Sequence, residues 1–298
     1  MLAVSHLSKS FGSVQAVDDL SFTVKPGEIM GLIGQNGSGK TTTFRMILQL
    51  LVPDQGEVTW QGQQMSSQFF DQLGYLPEER GLYPKLTVEE QIVYFAQLRG
   101  MAKDEVLAVI DQWLADFQVK GQRQDKIQSL SKGNQQKVQL ITTLIHQPKL
   151  IILDEPFSGL DPVNAGLLEA GVQRASQAGA AIIFSSHNMD NVGKLCDHLV
   201  MLQNGQTLLQ GELQAIRQQF GQTRLFVETD WSDQDLLALP GVSAVHHENN
   251  GMQKLILSDP DQGPAIFNQL SQGHYIKTFS QQPPSLEEIF KMKAGEKS

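Results

Sequence analysis

Residues Gly34-Gln35-Asn36-Gly37-Ser38-Gly39-Lys40-Thr41 fill every fixed position of the pattern G-x-x-x-x-G-K-[ST]. At this spacing a backbone curls its amide groups around the phosphates of a nucleoside triphosphate, and glycine removes the Cβ that would collide. Lys40 has the length to reach the β and γ phosphates. The Thr41 hydroxyl is a ligand for Mg²⁺, and Thr42 continues the turn into the following helix. A second segment supplies complementary chemistry. Leu150-Ile151-Ile152-Leu153-Asp154-Glu155 ends an apolar run in two carboxylates. Asp154 suits holding the metal, and Glu155 suits orienting and deprotonating an attacking water. Together the two segments point to binding and hydrolysis of a nucleoside triphosphate with Mg²⁺.

Such a site needs a rigid frame. Ile29 to Ile33 precede the loop as a buried strand, and Phe44, Ile47, Leu48 and Leu51 follow at helical spacing until Pro53. The positive end of that helix faces the phosphates. Leu150 to Leu153 and Ala180 to Phe184 are apolar without alternation, as central strands covered on both faces are. A helix is expected between them, from Asn164 to Gln177. Parallel strands joined by helices give a doubly wound α/β core. Leu2 to Leu7, Ser21 to Val24 and Gly56 to Gln61 read as further strands, and the stretch from Thr87 to Ile145 reads as helical. Leu199 to Leu202 and Thr207 to Leu209 flank Asn204-Gly205, a hairpin signal.

Near Gly221 the pattern changes. Strands over Arg224–Glu228, Val242–His246, Leu255–Leu257 and His274–Phe279 alternate with helices from Ser232 and over Pro264–Leu270. A last helix is capped by Ser285 with Glu288 three residues on. The order β-α-β-β-α-β predicts a small ferredoxin-like α+β domain over 221–298, after a first domain over 1–220.

Composition narrows the function. The 298 residues carry a net charge of −9 and no cluster of Lys and Arg, so no nucleic-acid partner is expected. Cys196 is the single cysteine and cannot form an intrachain disulfide. No apolar run is long enough to span a bilayer, and the first residues lack a leader pattern, so a cytoplasmic location is expected. His246 and His247 are adjacent on a strand and face opposite sides, and no chemistry is assigned to them.

Three more pieces complete a recognisable set: Leu130-Ser131-Lys132-Gly133-Asn134-Gln135-Gln136-Lys137, then Ser158-Gly159-Leu160-Asp161, then His187 after the next strand. In this order the motifs resemble the ATPase subunit of ATP-binding cassette (ABC) transporters, over residues 2 to about 215. The resemblance implies a mixed-sheet core with an antiparallel β subdomain and a helical subdomain. It makes Phe11 the aromatic residue that stacks on adenine, Glu155 the catalytic base, and His187 the contact to the γ phosphate. Ser131 and Gly133, with Asp161 nearby, would meet the ATP of an opposite subunit. The implied assembly is a head-to-tail dimer of two ATPase subunits on the cytoplasmic face of a membrane permease.

Two motifs depart from the usual family pattern, at three positions. Glu78 stands where Gln commonly touches Mg²⁺, keeping an oxygen ligand but adding charge, and Lys132 and Asn134 replace Gly and Gln in the signature. Activity is expected to survive both. Glu78-Glu79-Arg80-Gly81-Leu82-Tyr83 and Pro284-Ser285-Leu286-Glu287-Glu288-Ile289-Phe290 further resemble subunits of the sodium-exporter type, which favours export. The competing readings are a non-transport cassette ATPase acting on nucleic acid or the ribosome, and an ATPase regulated by a ligand-sensing C-terminal domain.

Overall fold

The computed structural model describes residues 1–65, 67–79, 81–272 and 275–295, and the chain divides into two compact units, Met1–Gly211 and Glu212–Ser298. In the first unit, β1 (Leu2–Phe11) and β2 (Val14–Val24) form a long antiparallel hairpin paired from Leu2↔Val24 to Phe11↔Val14. These strands run well beyond the short apolar pieces at their buried ends. Toward the tip, polar Lys9, Ser10 and Gln15 are mixed with exposed Phe11 and Val14, so hydrophobic patterning there is weak. After β3 (Ile29–Ile33) and α1 (Lys40–Ile47), β4 (Gln55–Trp60) and β5 (Gln63–Gln64) complete a sheet in the order β2-β1-β4-β5.

Next come β6 (Leu73–Leu76) and three helices packed on one another: α2 (Val88–Gln97), α3 (Lys103–Asp116) and α4 (Lys132–Leu144). Thr87 caps α2 in a reciprocal box with Glu90. The core then continues through β7 (Leu150–Leu153), α5 (Pro162–Gln177), β8 (Ala181–Ser186), α6 (Met189–Leu195), β9 (His198–Gln203) and β10 (Gln206–Glu212). The central sheet has the order β10-β9-β3-β8-β7-β6 and is parallel from β9 to β6. Every residue of β3, β7 and β8 is buried, in agreement with their unbroken apolar character. The β9–β10 turn uses Asn204 (φ 51°) and Gly205 (φ 81°), as an Asn-Gly hairpin requires. Helix α6, only seven residues long, has no sequence-predicted counterpart; its start is fixed by Asn188, whose side chain accepts from the amides of Asp190 and Asn191.

The second unit opens with α7 (Leu213–Gln219). It continues through β11 (Arg224–Val227), α8 (Asp233–Leu237), β12 (Val242–His247), β13 (Gln253–Leu257), α9 (Gly263–Leu270), β14 (Phe279–Gln282) and α10 (Leu286–Ala294). Its strands pair antiparallel in the order β12-β13-β11-β14, the ferredoxin-like arrangement. Leu225, Val227, Leu255, Leu257, Ile266 and Leu270 form its core, with Trp231 packed at the margin. The strand expected over His274–Phe279 lies instead at Phe279–Gln282, and His274 is outside the described residues. Ile276 supplied the apolar signal but packs on the core ahead of the ladder, whose register is set by β11 from Val227↔Phe279 to Arg224↔Gln282. Ser285 and Glu288 form the expected capping box, and Glu288 also accepts from the buried Arg224 at 2.9 Å.

Candidate nucleotide-binding and hydrolytic site

The parallel register of β3, β7 and β8 brings their carboxyl ends to one edge, where an open α/β sheet receives ligands. The phosphate-loop sequence leaves β3 there and enters α1. Gly39 precedes that helix at φ 109°, and no side chain caps it. The first amides of α1 are therefore oriented toward the loop's concavity with a positive potential. Neighbouring segments brace the loop: a Cβ on Gly34 would collide with the Leu202 carbonyl and Ser38, and one on Gly39 with the Ala16 carbonyl. Gly205 donates to the Ser38 carbonyl at 3.1 Å.

A cavity of about 310 Å³ opens here, lined by Ala16, Asn36, Gly37, Gly39, Lys40, Thr41, Thr42, Glu78, Asp154 and Glu155. Lys40 is buried and donates to the carbonyls of Gly34 at 2.7 Å and Gln35 at 3.1 Å. Burial pushes its pKa down, against the opposing pull of Glu155, Asp154 and Glu78. Among the described residues the Ser38 hydroxyl and Glu155 Oε1 are buried without hydrogen-bond partners; Glu155 lines the cavity, where an attacking water would satisfy its free oxygen.

The carboxylates are held by a continuous chain of contacts. Thr41 Oγ1 donates to Asp154 Oδ2 at 3.3 Å. Ser185 Oγ donates to Asp154 Oδ1 at 2.6 Å and accepts from the Glu155 amide at 2.8 Å. His187 Nδ1 lies 2.9 Å from Glu155 Oε2. Glu155 adopts φ 48°, a left-handed conformation that is costly for a residue with a Cβ. Among the described residues, no three His, Cys, Asp or Glu side chains converge into a metal cage. Mg²⁺ needs none, because it is typically bound by one or two carboxylates together with substrate phosphates and water. Thr41 and Asp154, with Glu78 on the same wall, fit that donor set.

Other expected residues lie outside this cavity lining. Phe11 is 52% exposed near the hairpin tip, with Lys9 Nζ 5.9 Å from its ring centroid. Ser131 caps α4, and its hydroxyl accepts from the Asn134 amide. Asn134 also donates to Ser131 through its side chain at 3.1 Å and accepts from the Lys120 amide, so the unusual signature residue anchors the serine, while Lys132 is exposed. Asp161 caps α5 and accepts from Asn164. A Cβ on Gly133 would fall 2.9 Å from the Asn164 side chain, so these two loops abut. Gln136 ties them again by donating to the Pro156 carbonyl at 3.1 Å. Arg80, within the second resemblance motif, lies outside the described residues. Cys196 is buried, and burial pushes its thiol pKa well up, away from reactivity.

Sequence reading missed Ser185 and Ala16. No local signal marks Ser185; in β8 it shares the parity of Ala181 and Ile183, the face that packs with Leu150 and Ile152 of β7. With Leu153 opposite Phe184, that parity sets Ser185 beside Asp154.

The site is thus that of a P-loop nucleotide-hydrolysing enzyme with paired acids at the end of β7, one strand removed from β3 across β8. Comparison with known proteins narrows the class. Residues 17–158 match the family model described as ABC transporter, and residues 211–294 match the ATP-binding protein DrrA1-3-like C-terminal domain. The chain is 42% identical over 295 residues, 99% of each protein, to the uncharacterized ABC transporter ATP-binding protein YhaQ of Bacillus subtilis. It is 31% identical over 290 residues to the Nod factor export ATP-binding protein I of Rhizobium etli, covering 96% of this chain and 90% of that one. A solved ATP-binding subunit of an ABC transporter superposes with TM-score 0.69 at 33% identity, covering 74% of this chain and 93% of that one. The chain belongs to the ABC transporter ATP-binding proteins. It is an ATP-binding ATPase of that family, whose subunits dimerise and work with membrane permeases.

Proposed function

We propose that this chain is the motor of an exporter: two ATPase subunits close head to tail on ATP, drive a separate permease from the cytoplasmic face, and reopen on hydrolysis. The observation that carries this reading is the chain of contacts from Thr41 through Asp154 and Ser185 to Glu155 and His187, set beside the phosphate loop. In it, Gly34 to Thr42 cradle the triphosphate. Phe11 receives the adenine ring. Thr41, Asp154 and Glu78 hold Mg²⁺, which when bound neutralises phosphate charge. Glu155 takes a proton from the attacking water, and His187 donates toward the γ phosphate.

Ser131 and Asp161 cap α4 and α5, with Gly133 in the first turn of α4, and these residues meet the ATP of a second copy. Their loops are tied to the segment after Glu155 through Gln136 and Asn164, a route from the signature to the hydrolytic carboxylate. An apolar groove lined by Tyr83, Pro84, Leu86 and Tyr94, with both tyrosines exposed, supports permease docking beside the helical segment. Among the described residues no helix is long and apolar enough to cross a membrane, consistent with a separate membrane partner. The relative named for Nod factor export supports the outward direction. The test is steady-state turnover of Glu155→Gln: loss of ATP hydrolysis with retained ATP binding is expected, and hydrolysis at the wild-type rate would remove Glu155 from its role.

A further inference from the structure

We infer that Ser185 is a positioning residue for hydrolysis, its hydroxyl locking the Asp154 carboxylate and the Glu155 backbone into one unit. This rests on the proposed roles of Asp154 and Glu155. The geometry fixes the direction of both hydrogen bonds: a backbone amide only donates, so Ser185 Oγ accepts from Glu155 at 2.8 Å, and its one proton goes to Asp154 Oδ1 at 2.6 Å. Ser185 has no solvent exposure and Asp154 is 2% exposed, so water does not stand in for either bond. Among the described residues, Ser185 is the one side chain that hydrogen-bonds to both halves of the site. On one side lie Thr41 and Asp154, and on the other Glu155 and His187.

Glu155 sits at φ 48°, a conformation that persists in a residue with a Cβ only when its surroundings over-determine it. The bond from its amide to Ser185 is one such restraint, located at the backbone atom nearest the strained torsion. Without the hydroxyl, Asp154 Oδ1 and the Glu155 amide lose their partner together. Glu155 is then free to relax toward ordinary backbone angles and carry its carboxylate away from the water it activates. Nucleotide binding depends mainly on the phosphate loop and Lys40, which Ser185 does not touch. The consequence falls on turnover more than on affinity.

The test uses the full-length chain with Ser185→Ala, Ser185→Cys and Ser185→Thr, each also combined with Glu155→Gln. The readouts are kcat and KM for ATP, binding of a fluorescent ATP analogue without turnover, and the thermal midpoint. Ser185→Ala and Ser185→Cys are expected to lower kcat by about 10-fold or more, with analogue affinity within about threefold of wild type. Ser185→Thr, which keeps the hydroxyl, is expected to restore most of kcat. In the Glu155→Gln background, Ser185→Ala should lower residual turnover less than about twofold, because the two changes act through one group. Wild-type kcat in folded Ser185→Ala or Ser185→Cys would overturn the inference, as would equal losses of affinity and turnover. If Ser185→Ala does not fold, the near-isosteric Ser185→Cys decides. Wild-type turnover in Glu155→Gln alone would instead refute the role of Glu155, a separate failure visible in the same set.

Discussion

Gly39→Ala tests whether the phosphate loop is as tightly locked as its geometry requires. Gly39 adopts φ 109°, and a Cβ there would stand well under 3.0 Å from the Ala16 carbonyl oxygen and 3.3 Å from Val17 Cγ2. The first obstacle is backbone of β2, not the mobile end of a side chain, so relief requires the loop and the strand to separate by roughly 1 Å to reach ordinary contact. The left-handed torsion costs a residue with a Cβ about 1–3 kcal/mol, and overpacking against a fixed strand costs a similar amount. In a unit of this size a loss of about 3 kcal/mol lowers the thermal midpoint by roughly 6–12 °C. Lys40 follows Gly39 directly, so a shift of about 1 Å misplaces it and should reduce kcat/KM on the order of 100-fold.

The assay is ATP turnover together with thermal unfolding, with Gly37→Ala as the control for stability. Gly37 also has positive φ, but its Cβ would meet nothing within 4 Å, so only the torsional cost of about 1 kcal/mol applies. A Gly39→Ala protein as stable and active as wild type would refute the locked loop.

Two further contrasts follow from local packing and burial. Within α5, Gly166 has open space around a Cβ, whereas at Gly171 the added atom would fall 2.7 Å from the ring of Phe117. Gly166→Ala should therefore stabilise by about 0.5–1 kcal/mol and Gly171→Ala destabilise by about 1–3 kcal/mol, measured by denaturant unfolding. His146 is held neutral: burial pushes its pKa down to about 4 from 6.5, and Nε2 lies 3.1 Å from the Leu73 carbonyl. Between those two pH values the unfolded chain binds the proton and the folded chain does not, so stability falls as pH drops from 6.5 toward 4. His146→Gln should flatten that decline by on the order of 2 kcal/mol in stability measured against pH.

The phosphate loop and the Asp154-Glu155 pair were legible because each is a contiguous run whose spacing carries its own geometry. The central strands were legible too, since burial on both faces leaves no polar interruption in β3, β7 or β8. Ser185 was not, because its importance arises from the pairing of β7 with β8, a long-range register that no local pattern records. The long β1–β2 hairpin extends past its sequence signal for the opposite reason: its outer half is held by backbone pairing, while its apolar residues there, exposed Phe11 and Val14 and buried Val17, follow no clean alternation. In the second unit the alternation of elements was readable. The placement of β14 was not, because Ile276 contributes to the core without joining the ladder.

In the proposed motor, one chain's phosphate loop and another chain's Ser131 and Gly133 enclose the same ATP. The most direct measurement is the solution mass of Glu155→Gln with Mg²⁺ and ATP, by light scattering on a sizing column, beside the same protein carrying Ser131→Arg. Twice the monomer mass is expected for Glu155→Gln with ATP, and monomer both without nucleotide and when Ser131→Arg is added. A Glu155→Gln protein that binds ATP yet stays monomeric at every concentration, or a dimer indifferent to Ser131→Arg, would contradict this arrangement.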